Sequence, residues 1–340
     1  DGRALQYRGL SLIGFALQAA ILGAVAASQT SLNVRAAIWA LIASAGLYAA
    51  LSVHRMARTA QWKAGAGEYK ELLAFGVPVG LYTIAGQAND FIARSVLAAT
   101  VPASDFGAFS AALIYASVIA MLSSAVNLAW VPLFYRRAQE WTSSGVYHQF
   151  AELLAGSMAI CGAFLIVFSS ELLGIYSGGK VSLGVSTVGA LVIAAWLNSA
   201  IWMAFSNPLF HQMRTKLVLA IALIAATVSV PLALFLIERQ GVFGAALALL
   251  FNALLVCLAA AAALRKLRFP SFSYHKLAIV LCLLILISSP AMNFLYQSVP
   301  GGQRLAEKSL LLAVFAALTF ALFLRPGLHL LRIIESGGAQ

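Results

Sequence analysis

Asp90 and Arg94 stand four residues apart, a carboxylate and a guanidinium one helical turn from each other inside an otherwise apolar run. A charged side chain at membrane depth costs at least about 2.5 to 3.5 kcal/mol on insertion scales, so it usually faces a bundle interior or a wet cavity. Two chemistries suit the pair. It can be a structural i, i+4 ion pair that neutralises itself, with Arg94 snorkelling to the nearby surface. Alternatively, Arg94 offers a planar fork to a phosphate while Asp90 takes a proton or sodium ion. Amides share the neighbourhood or its partner spans: Gln87 and Asn89 just before the pair, Asn127, Asn198 and Asn252 farther along. Each is suited to hydrogen bonding between helices or to a polar solute. Arg136 and Arg137 close a later span and fit either the inner membrane boundary or a basic mouth that attracts a lipid diphosphate.

Enzyme chemistry finds little to use. His54, His148, His211, His275 and His329 lie in loops or at span ends without the paired spacing of a zinc site. The chain has no G-x-S-x-G elbow and no phosphate-cradling glycine loop. Glu171 and Glu238 read as isolated outer-side carboxylates, and no enzymatic activity is expected. Cys161, Cys257 and Cys282 all fall within apolar runs and read as small buried hydrophobes, neither a disulfide framework nor a metal site. No cofactor is implied beyond coupling to H+ or Na+.

The elements that must position these groups are membrane helices. The 340 residues are 62% hydrophobic and 10% charged, far from the roughly 45–50% and about 25% of soluble domains. Runs of roughly 20 apolar residues suffice to cross a bilayer. Ten are read here, at 8–27, 33–54, 71–97, 104–135, 147–176, 181–207, 215–237, 242–264, 275–297 and 305–325.

The net charge of +11 does not indicate nucleic acid, because the basic residues are neither clustered nor interleaved with exposed aromatics. They fall in alternate loops. Arg3, Arg8, Arg55, Arg58, Lys63, Lys70, Arg136, Arg137, Arg214, Lys216, Arg265, Lys266, Arg268, Lys276, Arg325 and Arg332 form one set, and Arg35, Lys180, Arg239, Arg304 and Lys308 the smaller other. The positive-inside rule places the first set, and both termini, in the cytoplasm. The chain opens at Asp1 with nothing resembling a cleavable signal, and the true beginning is expected to lie upstream.

Span three carries Pro78, Gly80 and Gly86 ahead of Asp90. Pro78 favours a kink and the glycines allow bending or close helix contact, so these three read as a hinge. Trp130 and Tyr135 fit an aromatic belt at the end of span four. Phe106-Gly107-Ala108 and Phe243-Gly244-Ala245 each open a span, a weak internal echo compatible with repeated helix units.

Several motifs in order carry a family likeness. Phe75, Gly76 and Pro78 give an F-G-x-P opening. Asp90, Ala93 and Arg94 give an aspartate followed by a small residue and arginine. Gly107 and Phe109 form a glycine-aromatic turn, Trp130, Pro132 and Tyr135 a W-x-P-x-x-Y-like close, and GVFGAALALL at 241–250 a late G-x-x-G-A-A signature. The chain thus resembles the polysaccharide biosynthesis and O-antigen flippases, relatives of lipid II flippases and of multidrug and toxin extrusion transporters. It departs from them at Phe91, where many members carry a basic residue.

The resemblance implies a two-lobed, MATE-like all-α bundle lacking its first four helices. Residues 1–60 would be the last two helices of the first lobe, 61–70 a cytoplasmic linker, 71–268 a six-helix second lobe, and 269–340 two further helices and a cytoplasmic tail. It implies a bacterial inner-membrane transporter that flips undecaprenyl diphosphate-linked oligosaccharide by alternating access, beside membrane lipids, a polysaccharide polymerase and export machinery. Arg94, Arg136 and Arg137 would meet the headgroup, Asp90 would couple an ion, and Gln87, Asn89, Asn127, Asn198 and Asn252 would bond sugars or neighbouring helices. A drug or cation exporter of the same superfamily is the nearest alternative. A membrane glycosyltransferase or polymerase, or a non-transporting scaffold, would belong to other classes.

Overall fold

A computed structural model describes residues 34–59, 66–138, 145–179, 181, 183–267, 269, 273–290 and 303–324. The described residues form helices and no strand. In chain order these are α1 (Val34–Thr59), α2 (Ala66–Thr100), α3 (Ala103–Arg136), α4 (Val146–Val167) and α5 (Ser169–Ser177). Next come α6 (Val185–Trp196), a π-helical turn (Leu197–Ile201), α7 (Trp202–His211), α8 (Thr215–Lys266), α9 (Tyr274–Ser288), α10 (Gln303–Thr319) and a final π turn (Phe320–Leu324).

Among the described residues, five stretches are long and apolar enough to cross a membrane: Ala103–Arg136, Val146–Val167, Val185–His211, Thr215–Lys266 and Leu305–Phe323. Large apolar side chains stand exposed on the outside of the bundle, among them Leu128 at 77% and Met121 at 70%. In water such surfaces would associate. Against hydrocarbon they are at home, and the chain is a membrane protein.

The chain divides into two compact units, Asp1–Leu72 and Leu73–Gln340. In the first, the described residues are α1 and the opening of α2. The expected span at 8–27 lies outside the described residues. Of the expected linker at 61–70, the part from Ala66 onward is already helix.

The second unit is built around α6 and α7. Of the Val185–His211 window 83% is buried, against 17% for the window in Leu305–Phe323, so the former is the axis and the latter an outer helix. Without a hydrophobic force between helices in lipid, small residues and a few interhelical hydrogen bonds must hold them together. Both are present. Gly189 leaves no room for a Cβ, which would fall 2.2 Å from Ser288 Cβ, and Gly156 likewise faces Phe323 Cβ at 2.7 Å. Trp196 Nε1 donates to the Ala155 carbonyl at 3.0 Å, Tyr115 Oη to Leu165 at 2.6 Å and Tyr147 Oη to Ala204 at 2.5 Å.

A helix of 52 residues would run about 78 Å at 1.5 Å per residue, far more than one crossing. At Gly241 the backbone leaves helical geometry, with φ 56 and ψ −126, a region that side chains disfavour. A Cβ on Gly244 would fall on the Leu236 carbonyl oxygen, whereas residues eight apart on a straight helix are separated by about 12 Å. The chain therefore turns back on itself, and α8 is two arms that match the spans expected at 215–237 and 242–264. Gly107, by contrast, has open space where its Cβ would be. The two Phe-Gly-Ala sequences thus do different jobs.

Other expectations are corrected. The span expected at 147–176 is interrupted at Phe168, and α5 follows as a separate short helix. Trp130 is 5% exposed and stacks on Phe150 with ring centroids 3.4 Å apart, so it is a core aromatic and not part of a boundary belt. Cys257 is buried and Cys161 partly so, but Cys282 is exposed on the outward face of α9.

Candidate functional site

Helices α2, α3 and α6, the π turn and the second arm of α8 surround a cavity of about 400 Å³. Asp90 and Arg94 enter from α2, Ser110 and Ser117 from α3 and Asn198 from the π turn, while Leu113, Leu191 and Leu249 supply apolar wall. The placement follows from local structure. Arg94 follows Asp90 by four residues and shares its face, and Ala116, Ala194 and Ala195 keep the opposing walls low. The π turn, a wider coil often found at functional sites, puts Asn198 at the wall while its neighbour Ser199 is buried. Ser199 Oγ bonds the Ala195 carbonyl at 2.6 Å and lies 3.2 Å from Ser123 Oγ, and Cys257 Sγ donates to Leu197 O at 3.4 Å.

Asp90 and Arg94 are not joined in a direct ion pair, unlike the three pairs present among the described residues. The Arg94 charge still acts on the Asp90 carboxyl through space, and both side chains line the cavity. Ser110 and Ser117 donate to the Phe106 and Ile114 carbonyls of their own helix, at 2.9 and 2.6 Å, and so face the hollow as acceptors; with the guanidinium and the Asn198 amide as donors, the site can bind an anionic group and hydroxyl-rich chemistry together.

The remaining candidates are dispersed. Gln87 is exposed and does not line the cavity, and the side chain of Asn89 lies outside the described residues. Asn127 accepts from Asn207 Nδ2 at 2.8 Å, which makes it a tie between α3 and α7. Asn252 is half-buried on the second arm of α8, away from the cavity walls. Arg136 and Arg137 are exposed at the far end of α3, about 30 Å along the helix from Ser117, so they form no site with Arg94. Pro78 is buried within an unbroken α2, and open space lies beside Gly80 and Gly86.

One ion-paired carboxylate, Glu152, is not among the sequence candidates, and Glu171 is not the isolated carboxylate expected from the sequence. Glu152, 2% exposed on α4, accepts from Lys276 Nζ of α9 at 2.7 Å and lies 3.1 Å from His148 Nε2. Asp90 is thus not the only carboxylate within a span. The His148-x-x-x-Glu152 spacing was the available signal; the lysine is 124 residues away. On α5, Glu171 meets Lys308 of α10 and Ser170. Burial alone would raise the Glu171 carboxyl, but the hydrogen bonds from Lys308 and Ser170 outweigh it and hold the group below its ordinary value.

No family model, curated protein or solved structure matches the chain. The flippase likeness therefore rests on the motifs alone.

Proposed function

We propose that this chain is a membrane transporter that moves undecaprenyl diphosphate-linked oligosaccharide between the leaflets of a bacterial inner membrane. The observation that carries the reading is the cavity lined by Arg94 and Asp90, without a direct contact between them, and by Ser110, Ser117 and Asn198. A guanidinium suits a phosphate, and the hydroxyls and amide suit sugars. Asp90 is the ion-coupling group, for H+ or Na+. The motif resemblance adds the substrate class and the architecture: ten spans, termini in the cytoplasm, and a six-helix lobe from α2 to the second arm of α8 followed by two further helices. Transport proceeds by alternating access and breaks no bond.

A drug or cation exporter would want further carboxylates in the cavity. Glu152 does not supply one, because it is held by Lys276 and lies off the cavity walls.

Complementation tests the proposal. In cells lacking their own flippase, this chain is expected to restore surface glycan, Arg94→Ala to abolish the rescue, and Asp90→Asn to reduce it. Undiminished accumulation of lipid-linked sugar on the inner leaflet with the unmutated chain, at verified expression, overturns it.

A further inference from the structure

A second hollow, of about 540 Å³, runs between α7, the second arm of α8 and α9. Its walls are Phe205, Leu254, Ala261 and Leu281, and at one end stand Arg265 and Tyr274. The Arg265 guanidinium lies over the Tyr274 ring at 4.1 Å from its centroid, and no carboxylate pairs with it among the described residues. Tyr274 Oη is buried with no hydrogen-bond partner among the described residues. Lys266 and His275 are exposed next to this pair in sequence. The groove thus has an apolar length and a cationic, hydrogen-bond-donating end.

We propose that this groove is a binding site for an anionic glycerophospholipid of the membrane: one acyl chain lies along the apolar wall, and the phosphate accepts from Arg265 and from Tyr274 Oη. Charge complementarity selects the occupant. An unpaired guanidinium beside an unsatisfied phenol offers two donors to one phosphate, and an arginine fork binds phosphate with defined geometry. The anionic headgroup gains further from the neighbouring Lys266. A water-soluble anion would leave the apolar length unfilled, and a zwitterionic lipid would gain less from the surrounding charge. The site is separate from the Asp90 cavity and depends only on the chain being a membrane protein, so it stands or falls independently of the transport proposal.

Native mass spectrometry of the purified full chain in detergent tests it, with phosphatidylglycerol, phosphatidylcholine, undecaprenyl phosphate and inorganic phosphate as probes. Phosphatidylglycerol is expected to be retained about tenfold more tightly than phosphatidylcholine, with Arg265→Gln removing most of that preference. Tyr274→Phe, which keeps the ring under the guanidinium, should weaken retention about threefold. Ala278→Phe narrows the exposed side of the groove and should lower retention of both phospholipids. Thermal unfolding of each variant without added lipid confirms that it is folded. Equal retention of the two phospholipids by the unmutated chain overturns the proposal, as does a preference that survives Arg265→Gln. Displacement of phosphatidylglycerol by equimolar undecaprenyl phosphate, or by inorganic phosphate, overturns it as well.

Discussion

Lys276 Nζ stands 2.7 Å from the Glu152 carboxylate and ties α9 to α4 across 124 residues of sequence. Glu152 is 2% exposed while Lys276 is 20% exposed, so the two ends are not equivalent. Removing Lys276 leaves the buried Glu152 with only His148 Nε2, 3.1 Å away, beside it, and breaking a buried pair costs up to about 3–5 kcal/mol. Lys276→Met should lower the unfolding temperature in detergent sharply, Glu152→Gln less so because the lysine reaches water, and the double variant should recover most of the loss.

Glu171 predicts the acid response. Its folded-state carboxyl lies below the ordinary value of 4.5, so its stabilising contribution is complete above 4.5 and disappears as pH falls through the lower, folded value. Thermal unfolding between neutral and acid pH should show a loss in the unmutated chain that is smaller in Glu171→Gln. Equal slopes would remove Glu171 from the acid response.

The Asn127–Asn207 bond ties α3 to α7. Interhelical bonds of this kind average about 0.6 kcal/mol and reach about 1.7. A double-mutant cycle with alanine at both positions should give a coupling in that range, with glycan complementation unchanged.

Water should reach the Asp90 cavity. In a background where Cys161, Cys257 and Cys282 are replaced by alanine, Ser117→Cys and Asn198→Cys line the cavity and should react with a hydrophilic maleimide. Restoring Cys257, 6% exposed, should give no labelling. Protection of both cavity cysteines would mean a dry contact.

The turn in α8 should tolerate no side chain at two positions. At Gly241 a side chain is strained by the positive φ, at a cost of about 1–3 kcal/mol. At Gly244 a Cβ collides with the Leu236 backbone, which cannot swing aside as a side chain would. Gly244→Ala is therefore expected to reduce folded yield more than Gly107→Ala, where the space is open.

Local chemistry in the sequence foretold local structure. The span expected at 104–135 coincides with Ala103–Arg136, and Arg239, Gln240 and Gly241 mark the turn that parts the arms of α8. Asp90 and Arg94 drew attention because charge inside an apolar run has few explanations, and they do border a cavity. What could not be read depends on partners far away in the chain. Nothing near Trp130 announces Phe150, nothing near Glu152 announces Lys276, and Asn127 bonds to Asn207 across 80 residues. Ser110 and Ser117 are ordinary helix residues until α2 and α6 give them a shared hollow.

Glu152 and Glu171 precede their lysines by 124 and 137 residues. On the ribosome, both carboxylates are therefore made well before their lysines, and Glu152 has only His148, four residues earlier, beside it until α9 follows. The nascent bundle must hold these acids provisionally, as protonated groups or against water, until α9 and α10 insert. Only when α9 and then α10 have been made does each acid meet its lysine, so the charge of these two groups is matched only in a chain carried through to Lys308.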